Sequence, residues 1–177
     1  RKVILNQPVY ENIVEMITVQ ILKWNKEDKG KKIEDRQAII IYINTGGGDV
    51  FTGLNLCDVI KYSKTPIHGV ILAYAYSMGG VIFLSTHKKY MFTNSSVLIH
   101  DGSTTLSGSS GKVKDLQKFY SKVDDRLKHA IIDNCNITSE EYDDNADREQ
   151  YMLADECKEK GICDFIVGID CSIEDVI

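Results

Sequence analysis

Three short stretches of this chain carry residue types that can do chemistry. Ser77 precedes Met78-Gly79-Gly80. A serine at a strand-to-helix turn can expose its hydroxyl while the next backbone N–H points at a developing oxyanion. His100 closes the apolar run Val97-Leu98-Ile99, and a serine needs such a base to become nucleophilic near neutral pH. Gly46-Gly47-Gly48 follows another apolar run and ends in Asp49; glycines there let backbone N–H groups approach a substrate closely. Each stretch also has a plainer reading. A serine before a helix is commonly an N-cap, and glycines commonly make a turn. The flanks Ala75-x-Ser77-x-Gly79 match the hydrolase pattern GxSxG only loosely. His68, His87 and His129 sit beside a buried run, lysines or other polar residues and read as structural or solvated.

These residues need elements to hold them. Tyr10, Ile13, Ile17, Ile21 and Trp24 recur at helical steps, one face of an amphipathic helix. The charged run Lys26 to Arg36 reads as a solvated loop. Ala38 to Ile43 is continuously apolar, which predicts a strand buried on both faces of a parallel sheet and ending at the glycines. Val50 to Ile60 reads as a helix, Ile67 to Ala73 as a second buried strand, and Val81 to Ser85 as a helix after the Ser77 turn. Tyr90 to Phe92 and Val97 to Ile99 are strand-like. Gly102 to Gly111 is rich in Ser, Thr and Gly, a flexible loop. Val113, Leu116, Tyr120, Val123, Leu127 and Ile131 form the apolar stripe of a long helix, free to pack on its own sheet or another subunit. Ala154 to Lys160 is a short helix stopped by Gly161, and Phe165 to Val167 a last strand. Alternation of this kind predicts an α/β fold with right-handed crossovers.

Composition narrows the function. A chain of 177 residues suits a single domain spanning 1–177. A formal net charge of -5 argues against nucleic acid or acidic membranes as partners. No apolar stretch has the length of a membrane span. The five cysteines lack a CxxC pair and match neither a zinc site nor a disulfide framework, so free thiols in a reducing cytoplasm are expected. Neither a metal nor a cofactor is expected. The first residue is Arg1 rather than methionine, so an upstream segment is expected to be missing; no signal peptide is visible.

The three stretches occur in one order: Asn44-Thr-Gly-Gly-Gly-Asp, then Tyr76-Ser-Met-Gly, then Asn94-Ser-Ser-Val-Leu-Ile-His100. This order resembles the ClpP family, the proteolytic ring subunits of the Clp machinery, from about Leu5 to Val167. The resemblance implies a ClpP/crotonase-like spiral of ββα units with a protruding handle helix at about 112–134. It implies Ser77 as nucleophile, His100 as base, and an oxyanion hole from the N–H groups of Gly48 and Met78. Counting back from Gly161 puts Glu149 where the family has its catalytic aspartate, with Asp147 as the alternative acid. Asp147 and Arg148 fall on an acidic-Arg pair that contacts the opposite ring, and Gly102 to Gly111 on the wall of the substrate groove. The implied assembly is a homo-oligomer of two stacked heptameric rings, a tetradecamer, degrading unfolded polypeptides fed by a Clp ATPase. That ATPase partnership is carried by analogy alone, because the family's axial loop is mostly absent before Arg1.

The chain departs from the pattern in several places. Glutamate replaces the aspartate, Asp101-Gly102 replaces Gln-Pro, two residues are lost between the Ser77 turn and Asn94, and the Lys26 to Arg36 loop is long. These suggest a divergent member, such as a phage-borne or accessory paralogue. Two rival readings follow: a ring subunit that is catalytically weakened or inactive, and a crotonase-type acyl-CoA enzyme. The second leaves the Ser-Met-Gly turn and the Asn94 to His100 run unexplained.

Overall fold

The structure is a computed structural model that describes residues 1–145 and 147–177. Its centre is a sheet of parallel strands, β1 (Lys2–Leu5), β2 (Ile39–Thr45), β3 (Ile67–Tyr76), β4 (Lys88–Phe92) and β7 (Phe165–Val167), in the order β1-β2-β3-β4-β7. The long strand β3 outruns β4. Its first half pairs with β4 and its second half with β5 (Ser96–Ile99), with Tyr76 opposite Leu98. On the far side of β5 runs β6 (Gln150–Leu153), the sheet's antiparallel partner, with Ile99 opposite Gln150.

Helices α1 (Glu11–Glu27), α2 (Val50–Tyr62) and α3 (Met78–Leu84) pack on one face of this sheet through a core that includes Ile17, Ile21, Leu56, Ile60, Phe83 and the inward residues of β2. The alternating run Ile39, Ile41, Ile43 is wholly buried there. The expectation that β2 is buried on both faces needs correction. Ile40 and Tyr42 point the other way and are only half-buried, against a small second cluster with Val70, Tyr90 and Val176. The C-terminal segment lies against that face, fixed by the Tyr42 hydroxyl donating to the Val176 carbonyl at 2.7 Å. A strand covered by helices on one side alternates rather than burying every residue. The second half of β3 is likewise open, with Leu72, Ala73 and Tyr74 exposed.

The charged run after α1 holds a second correction. Asp28 is fully buried. Its carboxylate accepts from the Arg1 guanidinium, from Lys31 Nζ at 2.8 Å and from Thr65 Oγ1 at 3.0 Å. Buried charge persists only when paired in this way. The rest of the run, including a short 3-10 turn at Ile33–Asp35, is mostly exposed.

The buried residues of the long helix α4 (Ser110–Ile132) lie in its C-terminal half: Val123, Leu127 and Ile131. Leu116 and Phe119 remain exposed, although Phe119 stacks on Phe51 of α2 at 5.7 Å between centroids. Two elements come after it that the sequence pattern does not announce, α5 (Ser139–Asp144) and β6. Helix α6 (Ala154–Glu159) ends at Gly161, whose φ of 67° is left-handed as its stop role requires. No helix among the described residues is long and apolar enough to cross a membrane.

Candidate active site

The end of β3 aims Ser77. The residue has φ 53° and ψ −126°, a conformation that non-glycine residues rarely adopt. It occupies the N-cap position of α3, yet its side chain makes no capping bond. The hydroxyl instead lies 2.7 Å from Nε2 of His100. Thus the N-cap reading of this serine does not describe it. The turn is held from both sides: Ser77 N–H donates to the Leu98 carbonyl at 3.0 Å, and the Ser77 carbonyl accepts from Gly80 at 2.9 Å. Backbone strain of this kind costs on the order of 1–3 kcal/mol and persists only where neighbours over-determine it.

His100 is the first residue past β5, and the β3–β5 pairing brings it to Ser77. Gly47 and Gly48 form the third side. The loop is pinned to the segment before α1, with Val9 N–H donating to the Gly47 carbonyl (2.9 Å) and Asp49 N–H to the Val9 carbonyl (2.8 Å). Gly47 has φ 93°, and a Cβ there would lie 2.7 Å from Cβ of Ser77 and 3.0 Å from N of Met78. A Cβ on Gly48, at φ 156°, would strike the Val9 backbone at 2.6 Å. No side chain fits at either position. The Met78 N–H is the first of α3 and so has no intrahelical acceptor. The N–H of Gly48 likewise finds no acceptor among the described residues.

The acids lie beyond the end of β6. Glu149 is exposed, and its Oε2 accepts from the Tyr151 hydroxyl at 3.0 Å. This bond to Glu149 raises the Tyr151 phenol pKa. Asp147 is left-handed at φ 62°, and its N–H donates to Oδ2 of Asp101 at 3.3 Å. Arg148 is exposed beside it. Among the described residues no carboxylate is hydrogen-bonded to His100. Sequence reasoning passed over Tyr151. The signal for it was available, since Glu149 and Tyr151 are two apart and share one face of a strand.

The remaining titratable groups do not compete for the role. His87 accepts from the Ile67 N–H at 2.8 Å, and His68 lies against Tyr90. Burial lowers both their pKa values. The five cysteines are free. Burial pushes Cys57 up to about 12 and Cys163 up to about 11, so neither supplies a thiolate.

A strained serine whose hydroxyl meets a histidine nitrogen, beside two uncommitted N–H groups, is the pairing on which serine hydrolases rely. The chain matches the sequence model of the Clp protease family over residues 1–170 and belongs to that family, whose members are serine peptidases of the ClpP type.

Proposed function

We propose that this chain is a serine endopeptidase subunit in which Ser77 attacks the scissile carbonyl and His100 takes its proton. His100 then returns that proton to the leaving amine, and water repeats the cycle on the acyl-enzyme. The observation that carries the reading is the 2.7 Å contact between Ser77 Oγ and His100 Nε2, made by a serine that forgoes its N-cap bond. Gly48 and Met78 N–H groups are the donors assigned to the oxyanion. Removing one such donor typically costs about 3 kcal/mol of transition-state stabilisation.

Glu149 is the acid assigned to orient His100, with Asp147 as the alternative. Support comes from register. Ile99 is opposite Gln150, so the next pair outward is His100 with Glu149, and side chains opposite each other in an antiparallel pair share a face. The long handle-like helix α4, with Leu116 and Phe119 exposed in its N-terminal half, fits a ring subunit whose helix is completed by neighbours. On this reading the spiral fold assembles into two heptameric rings, Asp147 and Arg148 contact the opposite ring, and a Clp ATPase delivers unfolded polypeptide.

A second reading has one observation in its favour: the Glu149 carboxylate is bonded to Tyr151 rather than to His100. It makes the chain a weakened or inactive ring subunit. Hydrolysis of a short fluorogenic peptide, with Ser77→Ala beside the wild type, separates the two. Ser77-dependent turnover together with fluorophosphonate labelling of Ser77 supports the peptidase. Equal, background-level rates for both proteins sink it.

A further inference from the structure

A cavity of about 400 Å³ opens next to Asp101, the residue that follows His100, and is walled by Val50 from the start of α2, by Gly102 and by the buried half of α4. Of the larger cavities among the described residues, it alone is bounded by a residue adjoining His100 and by one two positions past Gly48. An acyl group held between Ser77 and the Gly48 and Met78 N–H groups would therefore carry its own side chain toward this space. On the peptidase reading above, a cavity that begins one residue past His100 is where a substrate side chain would be received. The carboxylates decide what it takes.

We propose that this cavity selects a lysine or arginine side chain on the substrate residue whose carbonyl is attacked. Val50, Val123 and Leu127 supply apolar wall, which suits the methylene stem of a long cationic side chain. Asp101, Asp124, Asp125 and Asp143, all exposed, supply the acidic part of a polar lining that also holds Ser103, Thr104 and Lys128. Among the described residues only Asp143 of these four meets a cation, its two oxygens 2.6 and 2.7 Å from Lys128 Nζ. Asp101 and Asp124 have no cationic partner among the described residues. Burial raises the Tyr142 phenol pKa, and the charges of Asp101, Asp124 and Asp143 raise it further. Burial also raises the Asp124 carboxyl, with help from Asp101 and Asp125. Such a site favours a cation and disfavours an acidic or purely apolar side chain.

The test compares fluorogenic peptides that differ only in Arg, Leu or Glu before the scissile bond. With wild-type protein, kcat/KM for Arg should exceed that for Leu by about tenfold, a modest charge-pair preference, with Glu lowest. Asp124→Asn should narrow the ratio, and Asp124→Lys should bring it to one or below. Independently of any variant, raising salt from about 0.05 to 0.5 M should shrink the wild-type Arg preference by screening. Ser77-dependent cleavage that favours Leu over Arg, or an Arg preference indifferent to both salt and Asp124, overturns the subsite and leaves the peptidase standing. Failure of every peptide, with no fluorophosphonate labelling of Ser77, removes the peptidase reading and the subsite with it.

Discussion

His100 and Glu149 are the next residues off the ends of β5 and β6, strands whose last paired residues are Ile99 and Gln150. Cβ atoms directly across an antiparallel pair lie roughly 5 Å apart, within reach of a glutamate and an imidazole. Asp147, two residues further out and left-handed, turns its N–H to Asp101 instead. If Glu149 is the acid proposed above, Glu149→Gln should lower kcat for peptide hydrolysis by about 100-fold or more, the loss expected when a catalytic histidine is no longer held and charge-stabilised. Asp147→Asn should stay within a few-fold, since asparagine tolerates the same backbone. The reverse ranking would assign the acid to Asp147.

The Tyr151 hydroxyl donates to the Glu149 carboxylate. Glutamate has one more rotatable bond than aspartate, so it loses more freedom when fixed. The Tyr151 hydroxyl occupies Oε2, and on the proposed triad Oε1 is the oxygen that would serve the imidazole. Tyr151→Phe should reduce kcat several-fold with little change in KM. Stability should move by less than about 1 kcal/mol, because the bond is exposed. A variant with unchanged kcat would show that the hydroxyl plays no part in orienting Glu149.

What the sequence made legible was local. The strands leading into Gly46, Ser77 and His100, and the helices α1, α2 and α4, follow from apolar runs and steps of three or four. The pairing of Ser77 with His100 was foreseen only through the order of the motifs. What stayed hidden depends on partners distant in the chain. Asp28 reads as one charge in a charged run, and its burial depends on Arg1 and Thr65, 27 and 37 residues away. The strand β6 is four residues with no strong pattern of its own, and it exists because β5 offers it an edge. Gly102 to Gly111 was read as loop, and α4 begins already at Ser110, since Ser, Thr and Gly near a helix start report the cap region rather than its boundary.

Gly47 is where backbone and nucleophile meet most closely. An alanine there would set its Cβ 2.7 Å from both the Ser77 Cβ and the Tyr76 carbonyl oxygen, at a φ of 93° that alanine avoids. Gly47→Ala should cost about 1–3 kcal/mol of stability and remove most peptidase activity, because the Ser77 turn has to shift. Gly46→Ala is the control, since a Cβ there meets nothing within 4 Å. Denaturant midpoints and peptide turnover for the two variants should differ sharply; similar behaviour would mean that the turn is not held against this loop.

Asp28 gives the fold an acid-sensitive joint. Hydrogen bonds from Arg1, and then from Lys31, hold its carboxyl well below the usual carboxylate range, against the opposing effect of burial. A group whose folded pKa is depressed binds fewer protons folded than unfolded. Its contribution is therefore complete above the unfolded value of about 4. It fades as pH falls through that value toward the folded one. Asp28→Asn should be less stable than wild type at pH 7, by on the order of 2 kcal/mol for lost charge-assisted bonds. The gap should close as pH is lowered from about 5 toward 2, because the wild type then also loses the charge. Urea unfolding followed by circular dichroism at a series of pH values measures both curves. A gap that stays constant with pH would mean that Asp28 acts by packing rather than by charge.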